Sequence, residues 1–169
     1  AMDKNMANSK IIKQNLKEVK KFATVLDPIM IEGKAKLPSK FRITAEACKI
    51  AGKNDLKKNK ILVIGGGSSE EIDDVRVITN KSTGKMAKHL AEAAFNMGAD
   101  VELWMGETTE VVGEWISQQK FNSVEDLSKK IKKLSKYDAI LVPAALSDFV
   151  PVKTKGKISS QKIPEIKLK

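Results

Sequence analysis

The stretch from Lys60 to Ala87, KILVIGGGSSEEIDDVRVITNKSTGKMA, limits what this chain can fold into more than any other. Leu62, Val63 and Ile64 form a branched apolar run too short for a helix, which reads as a strand buried on both faces of a parallel sheet. Gly65, Gly66 and Gly67 then permit a sharp turn and close backbone approach to a ligand. About fifteen residues pass before helical spacing returns at Met86, Leu90 and Ala94, longer than an ordinary strand-to-helix connection and so a candidate functional loop. Ser82 or Thr83 is expected to cap a helix running from about Ser82 to Asn96, with Lys81 and Lys85 adding positive charge to its first turn. Ser82, Thr83, Gly84 and Lys85 therefore form either an anion site or an ordinarily capped helix start.

Two phosphate-binding patterns fail on this stretch. A dinucleotide fingerprint starting at Gly65 and Gly67 would need a third glycine where Glu70 stands, and a Walker A loop ending in Gly84-Lys85 has Thr79 and Met86 at two required positions. A nicotinamide oxidoreductase, by architecture alone, and a non-catalytic piece of a larger enzyme remain the alternatives. The second strand ends in Leu103-Trp104-Met105, and the nearest acid after it, Glu107, comes too late to read a ribose.

The 169 residues, 41% hydrophobic, suffice for a domain with a real core. No apolar run approaches the length of a membrane helix, no secretory signal opens the chain, and the single cysteine, Cys48, suits a reducing compartment, so a cytoplasmic location is expected. The net charge of +10 is uneven: residues 61–150 carry 10 basic and 14 acidic groups, whereas residues 1–60 carry 15 and 6. Basic flanks on an acidic middle, with 5% aromatics, argue against nucleic acid as a partner.

In chain order, residues 5–23 read as one amphipathic helix, Thr24 to Leu26 as a short strand, and Ile29 to Arg42 as a loop. Thr44 is expected to cap a short helix that buries Cys48 and stops at Gly52. Lys53 to Asn59 is a polar linker. Beyond the long loop, Gly98 suits the left-handed end of the central helix, Ala99 to Met105 a second strand, and Ser123 the cap of a helix carrying Val124, Leu127, Ile131 and Leu134 on one stripe. His89 reads as an exposed or half-buried helix residue. Asp138 to Val142 reads as a further strand buried on both faces. Pro143-Ala144-Ala145 then allows close backbone approach, and Asp148 lies where a doubly wound sheet presents ligand groups, unless Ser147 or Asp148 serves only as a helix cap. Pro151 to Lys169, taken alone, is a flexible basic arm with an alternating strand from Ile163. The fold class is α/β: a Rossmann-like parallel sheet flanked by helices, incomplete at its C-terminal end.

The run GGGSSEEIDDVRVITNKSTGKMAKHLAEAAFNMGADVELWMG, followed by YDAILVPAALSDFVP and KGKISS, resembles the phosphopantothenoylcysteine synthetase family of coenzyme A biosynthesis. The Asp-x-Val-Arg-x-Ile-x-Asn-x-Ser-x-Gly-Lys-Met string carries the likeness over residues 60–160, with Thr83 in place of Ser and Ala87 in place of Gly. The resemblance implies a ligase that joins 4'-phosphopantothenate to cysteine through an acyl-cytidylate, using CTP and Mg2+, with a mass-action partner set of small molecules and a homodimer or higher homo-oligomer. It implies an oxyanion-stabilising role for Asn80, a nucleotide site at Gly65, Gly66, Ala144, Ala145 and Asp148, and a catalytic Lys157 on a mobile flap neutralising phosphate charge. Ser82, Thr83, Gly84 and Lys85 would hold a substrate or nucleotide phosphate.

Residues 1–52 also resemble the end of a flavin-dependent decarboxylase, with Asp3 in a substrate-contacting position and the loop Glu32 to Lys36 in the place of a lid. The expected organisation is a decarboxylase remnant over 1–52, a linker over 53–59, and the N-terminal part of the ligase domain over 60–169. FMN would belong to the parent decarboxylase and not be bound by this chain alone.

Overall fold

A computed structural model describes residues 2–132, 134–159, 161 and 165–169. The chain divides into two compact units, Ala1–Ala47 and Cys48–Lys169.

In the first unit, β1 (Met2–Asp3), β3 (Lys34–Lys36) and β2 (Ile29–Ile31) form a small antiparallel sheet in the order β1-β3-β2. The expected loop over Ile29 to Arg42 is thus a hairpin, turned at Glu32 and Gly33, both with positive φ. Thr24 to Leu26 forms no strand. The expected single helix is two, α1 (Lys4–Ala7) and α2 (Lys10–Val19), because Ser9 stops one and caps the other by accepting from the Ile12 amide at 3.3 Å. A third helix, α3 (Lys40–Ala51), starts a turn earlier than expected: Ser39 accepts from the Arg42 amide at 3.2 Å, while Thr44 bonds back to the Lys40 carbonyl inside the helix. Cys48 is exposed, contrary to expectation, because Ala45 is the residue that α3 buries.

The second unit is built on a four-stranded parallel sheet. Its strands are β4 (Lys60–Gly65), β7 (Asp100–Met105), β8 (Ser117–Lys120) and β9 (Ala139–Leu141), arranged β8-β7-β4-β9. The first strand in sequence is central, two follow on one side, and the fourth returns to the other side. That is the strand order of a nucleotide-binding half of a doubly wound fold. Leu62, Val63, Leu103 and their neighbours are fully buried, as their unbroken apolar run requires.

The long loop is more ordered than its polar sequence suggests. It contains a hairpin, β5 (Ser69–Glu71) and β6 (Val77–Thr79), paired Ser69 to Thr79 through Glu71 to Val77. The helix α4 (Lys85–Asn96) then crosses to β7 and buries Ala87, Ala91, Ala94 and Phe95. Small residues let it lie close on the strand: a Cβ on Gly65 would sit 2.0 Å from the Ala87 Cβ. Gly98, at φ 98°, ends α4 as expected.

On the other face, Leu62, Ile64, Trp104, Phe121 and Leu127 form the core cluster beneath α5 (Val124–Ile131). Ser123 caps α5 by accepting from the Asp126 amide at 3.1 Å, and Asp126 returns the bond to the Asn122 amide. Leu134 falls in a separate 3-10 turn, Leu134–Lys136. β9 departs from expectation: all three residues are exposed, because it pairs only with β4 and lies at the edge of the described sheet.

At the amino end of the sheet one carboxylate ties three elements together. Glu102 on β7 accepts from Trp104 Nε1 at 2.9 Å, Gln119 Nε2 on β8 at 2.7 Å, Lys136 Nζ at 3.0 Å and Tyr137 Oη at 2.5 Å. Burial pushes its pKa up, but the donors from Trp104, Tyr137 and Lys136 outweigh it and the net shift is downward.

Two outcomes follow. Gly65→Ala should destabilise the chain by about 1–3 kcal/mol in thermal or urea unfolding, and Ala87→Gly in the same chain should recover part of that; an unchanged midpoint in Gly65→Ala overturns the close-contact reading. Because the folded pKa of Glu102 is depressed, its contribution is present above the unfolded carboxylate pKa and lost as pH falls through the folded one. Glu102→Gln should therefore cost about 1–3 kcal/mol at neutral pH and little in acid, measured by unfolding across pH.

Candidate functional site

The carboxyl end of β4 is where the strand order reverses, between β4 and β9, and backbone from three elements closes there. Ala145 N donates to Gly66 O at 2.9 Å and Ser68 N to Ala145 O at 3.1 Å; on the β7 side, Gly106 N donates to Gly65 O at 2.9 Å and Gly67 N to Glu107 O at 2.9 Å. The glycines are needed for this approach. Gly66 has φ 79°, and a Cβ on it would lie 2.6 Å from Glu107 O; a Cβ on Gly106 would lie 2.2 Å from Gly67 O.

Side chains then lock the turn. Ser68, fully buried, accepts from Ser147 N at 2.9 Å and lies 2.9 Å from Ser147 Oγ. Thr79 Oγ1 donates to Ser68 O at 2.8 Å, which brings the β5–β6 hairpin onto the glycines. Asn80, next along, donates from Nδ2 to Ala145 O at 3.0 Å, and its own carbonyl would lie 3.0 Å from a Cβ on Gly67. One face of Asn80 is thus spent on holding Ala145, and the exposed remainder faces outward. Gly65, Gly66, Asn80 and Ala145 converge at this point; Ala144 instead packs half-buried on the core cluster beneath α5, and Asp148 is exposed one residue past Ser147.

The start of α4 differs from expectation. Gly84, in the left-handed conformation at φ 75°, is the N-cap and makes no side-chain capping bond; the helix begins at Lys85, not Ser82. Ser82 and Thr83 lie before it. Thr83 still accepts from the Lys85 amide at 3.3 Å, but its carbonyl is taken by Thr108 Oγ1 at 2.7 Å. A side chain on Gly84 would meet Thr108 Oγ1 at 2.5 Å, so the glycine is there to let the Thr108 turn close on the helix start. His89 is exposed on α4, as expected, with Nδ1 3.6 Å from Glu92. In the first unit Asp3 caps α1, accepting from the Asn5 amide at 2.8 Å.

Lys157 is exposed and stands on a segment that is not a free arm. Thr154 N donates to Ile72 O at 2.9 Å, Gly156 N to Asp74 Oδ2 at 3.0 Å and Ile158 N to Asp73 Oδ2 at 3.0 Å, while Arg76 Nη2 donates to Ile158 O at 2.9 Å. The end of the chain also folds back, Val150 and Lys169 exchanging both backbone bonds. The strand expected from Ile163 begins outside the described residues, as do Lys133, Lys162 and Pro164. The Asp73-Asp74-x-Arg76 clamp and the Ser68–Ser147 pair escaped sequence reading; a pair of adjacent aspartates in a polar loop looks solvated until one is found buried.

Residues 56–169 match the family described as the C-terminal domain of DNA/pantothenate metabolism flavoproteins. The chain belongs to this family. It is 35% identical over its full length to the coenzyme A biosynthesis bifunctional protein CoaBC of Methanocaldococcus jannaschii, of which it spans 42%. A crystal structure of the C-terminal domain of a CoaBC protein superposes with a TM-score of 0.58 at 31% identity, covering 69% of this chain and 56% of that one. The DNA/pantothenate metabolism flavoprotein from Streptococcus pneumoniae gives 0.59 at 26% identity, covering 66% and 59%.

These matches correct the functional expectation. The family is described as a flavoprotein's and the relatives as bifunctional coenzyme A biosynthesis proteins; none of these descriptions carries a ligase, CTP or Mg2+. They carry the descriptions of a flavoprotein and of coenzyme A biosynthesis proteins and not that of a CTP-dependent phosphopantothenate–cysteine ligase, so that activity and its nucleotide are withdrawn. A flavin must still be tested against the residues present. Glu107, Gly106 and Ala145 backbone packs directly on the glycine turn, leaving no room there for a flavin ring, and the sole histidine lies exposed on α4. The second unit by itself does not fit FMN.

Ser68→Ala should leave the Ser147 amide without its buried acceptor and cost about 1–3 kcal/mol in unfolding free energy; a change below a few tenths would remove this pair from the site's architecture.

Proposed function

We propose that this chain is part of a bifunctional coenzyme A biosynthesis enzyme that serves phosphopantothenoylcysteine decarboxylation, with its second unit binding the phosphorylated pantothenate-type substrate rather than the flavin. The observation that supports this reading most is the convergence of Gly66, Gly67, Asn80 and Ala145 at the switch point of a sheet whose residues all fall within the family match. Ligands of open α/β sheets bind in this crevice. The outward face of Asn80 offers an amide to a polar group, and the first turn of α4 with Lys85 offers positive potential to a phosphate. FMN, on this reading, belongs to the decarboxylating centre of the parent protein and is supplied by residues other than those of this unit.

The test is calorimetric titration of the chain with 4'-phosphopantothenoylcysteine, with dephosphorylated ligand as control. Binding that needs the phosphate, and that Asn80→Ala weakens about tenfold, the equivalent of about 1.4 kcal/mol, is the expected result. Equal affinity for the dephosphorylated ligand, or unaltered affinity in Asn80→Ala, would sink the reading. Visible flavin absorbance copurifying with the isolated chain would show that the assignment of FMN elsewhere is wrong.

A further inference from the structure

The proposed function occupies the carboxyl end of the sheet and leaves a hollow at the amino end without a role. Its volume is about 380 Å³, and every residue lining it lies in the second unit. Small-molecule sites span roughly 300–1,000 Å³, so the space suits a ligand of modest size. Phe95 near the end of α4, Val101 on β7 and Trp115 just before β8 form its apolar wall, with Phe95 and Val101 buried. Lys49, Lys58 and Asp100 bring the charges.

Both lysines are held in unusual ways. Lys58 has a left-handed backbone, φ 76°, which a residue with a Cβ rarely adopts and which persists only where neighbouring contacts impose it. Those contacts are present, because the segment Lys53 to Asn59, expected as a polar linker, folds onto the corner between α4 and β7. Leu56 N donates to Met97 O at 3.0 Å, Lys57 N to Asn54 O at 2.9 Å and Asp100 N to Asn59 O at 2.9 Å. The Lys58 ammonium nevertheless enters no ion pair among the described residues. Lys49 is fixed over the wall itself: its Nζ stands 4.2 Å from the centroid of the Phe95 ring and donates to Ala99 O at 3.3 Å. An ammonium has three donors, so Lys49 keeps others to give.

These groups select a class of ligand. Two lysines against one aspartate leave the lining with a net charge of +1, which suits a monoanion better than a phosphate dianion that Asp100 would repel twice as strongly. The indole Nε1 of Trp115 is buried without a partner, so Trp115 gives the hollow no side-chain donor and serves it as apolar wall. A flat apolar body fits there, with its charge directed to the lysines.

We propose that this hollow binds a small aromatic monocarboxylate, its ring against Trp115 and Val101 and its carboxylate accepting from Lys49 and Lys58. The site stands at the opposite end of the sheet from the glycine turn and does not depend on what binds there.

Titration of the full chain with benzoate, followed by 1H–15N correlation spectra, tests it, with benzyl alcohol and acetate as controls lacking the charge and the ring. Benzoate should shift the Trp115 indole signal and the Lys58, Gly98 and Ser117 amides saturably, leaving Gly66 and Gly67 unmoved; Trp115→Phe identifies the indole signal by removing it. A probe of this size is expected to bind with a Kd of roughly 0.1–1 mM. Lys58→Asn removes the charge while keeping a residue that tolerates left-handed backbone, and should weaken binding about threefold to fivefold, the scale of a partly exposed ion pair. Asp100→Asn should tighten it. A misfolded variant cannot imitate two effects of opposite sign. Lack of a saturable shift at roughly 10 mM benzoate overturns the site. So do equal shifts with either control, shifts at the glycine turn instead, or unaltered affinity in Lys58→Asn.

Discussion

Three glycines in a row cannot hold their own shape, and the second unit depends on how the polar groups of this turn are met from outside. Gly65 and Gly66 give carbonyls to Gly106 and Ala145, and Gly67 exchanges both its bonds with Glu107. The turn is in effect the continuation of the sheet beyond its last regular residues, zipped on one side to the end of β7 and on the other to the segment after β9. Any side chain at Gly66 or Gly106 would push these backbones apart. The conformational freedom that makes glycine costly elsewhere is removed here by contacts from forty and eighty residues away.

From that constraint the surrounding residues acquire their roles. Gly65 needs a small partner on α4 and finds Ala87; Gly84 needs room at the Thr108 turn and takes a left-handed conformation to obtain it. Ser68, which the turn has buried beyond the reach of solvent, is satisfied by the half-buried Ser147. Asn80 is placed by the same logic. Its amide bonds the Ala145 carbonyl, already engaged by Ser68 N, so the residue that faces the crevice is oriented by the backbone that builds it.

Much of this was legible in the residues. The apolar runs at 61–64 and 101–105, the glycine turn, the Gly98 helix end and the Ser123 cap are local signals, and each appears in the structure where its chemistry points. Pairing and burial were less legible, because they depend on partners distant in sequence. The run Ala139 to Leu141 has the composition of a central strand and stands exposed at an edge, since burial is decided by what lies beside a strand and not by its side chains alone. Cys48 shows the same limit on a helix: it lies one turn beyond the buried Ala45 and is nonetheless exposed, since burial depends on what covers each turn.

The site residues divide along the same line. Gly65, Gly66, Ala144 and Ala145 could be placed at one sheet end from strand order alone, because topology gathers them. Lys157 could not, since no periodicity links it to the sheet, and its segment reads as a solvated tail. Its place is set by Asp73, a buried carboxylate whose cost of desolvation is offset by the Val75 and Arg76 amides of its own turn, the distant Ile158 amide and the Arg76 guanidinium. A buried charge that requires a distant main-chain donor therefore couples the hairpin between β5 and β6 to the far end of the chain. The same requirement makes the coupling polar, unlike the apolar packing that fixes β4.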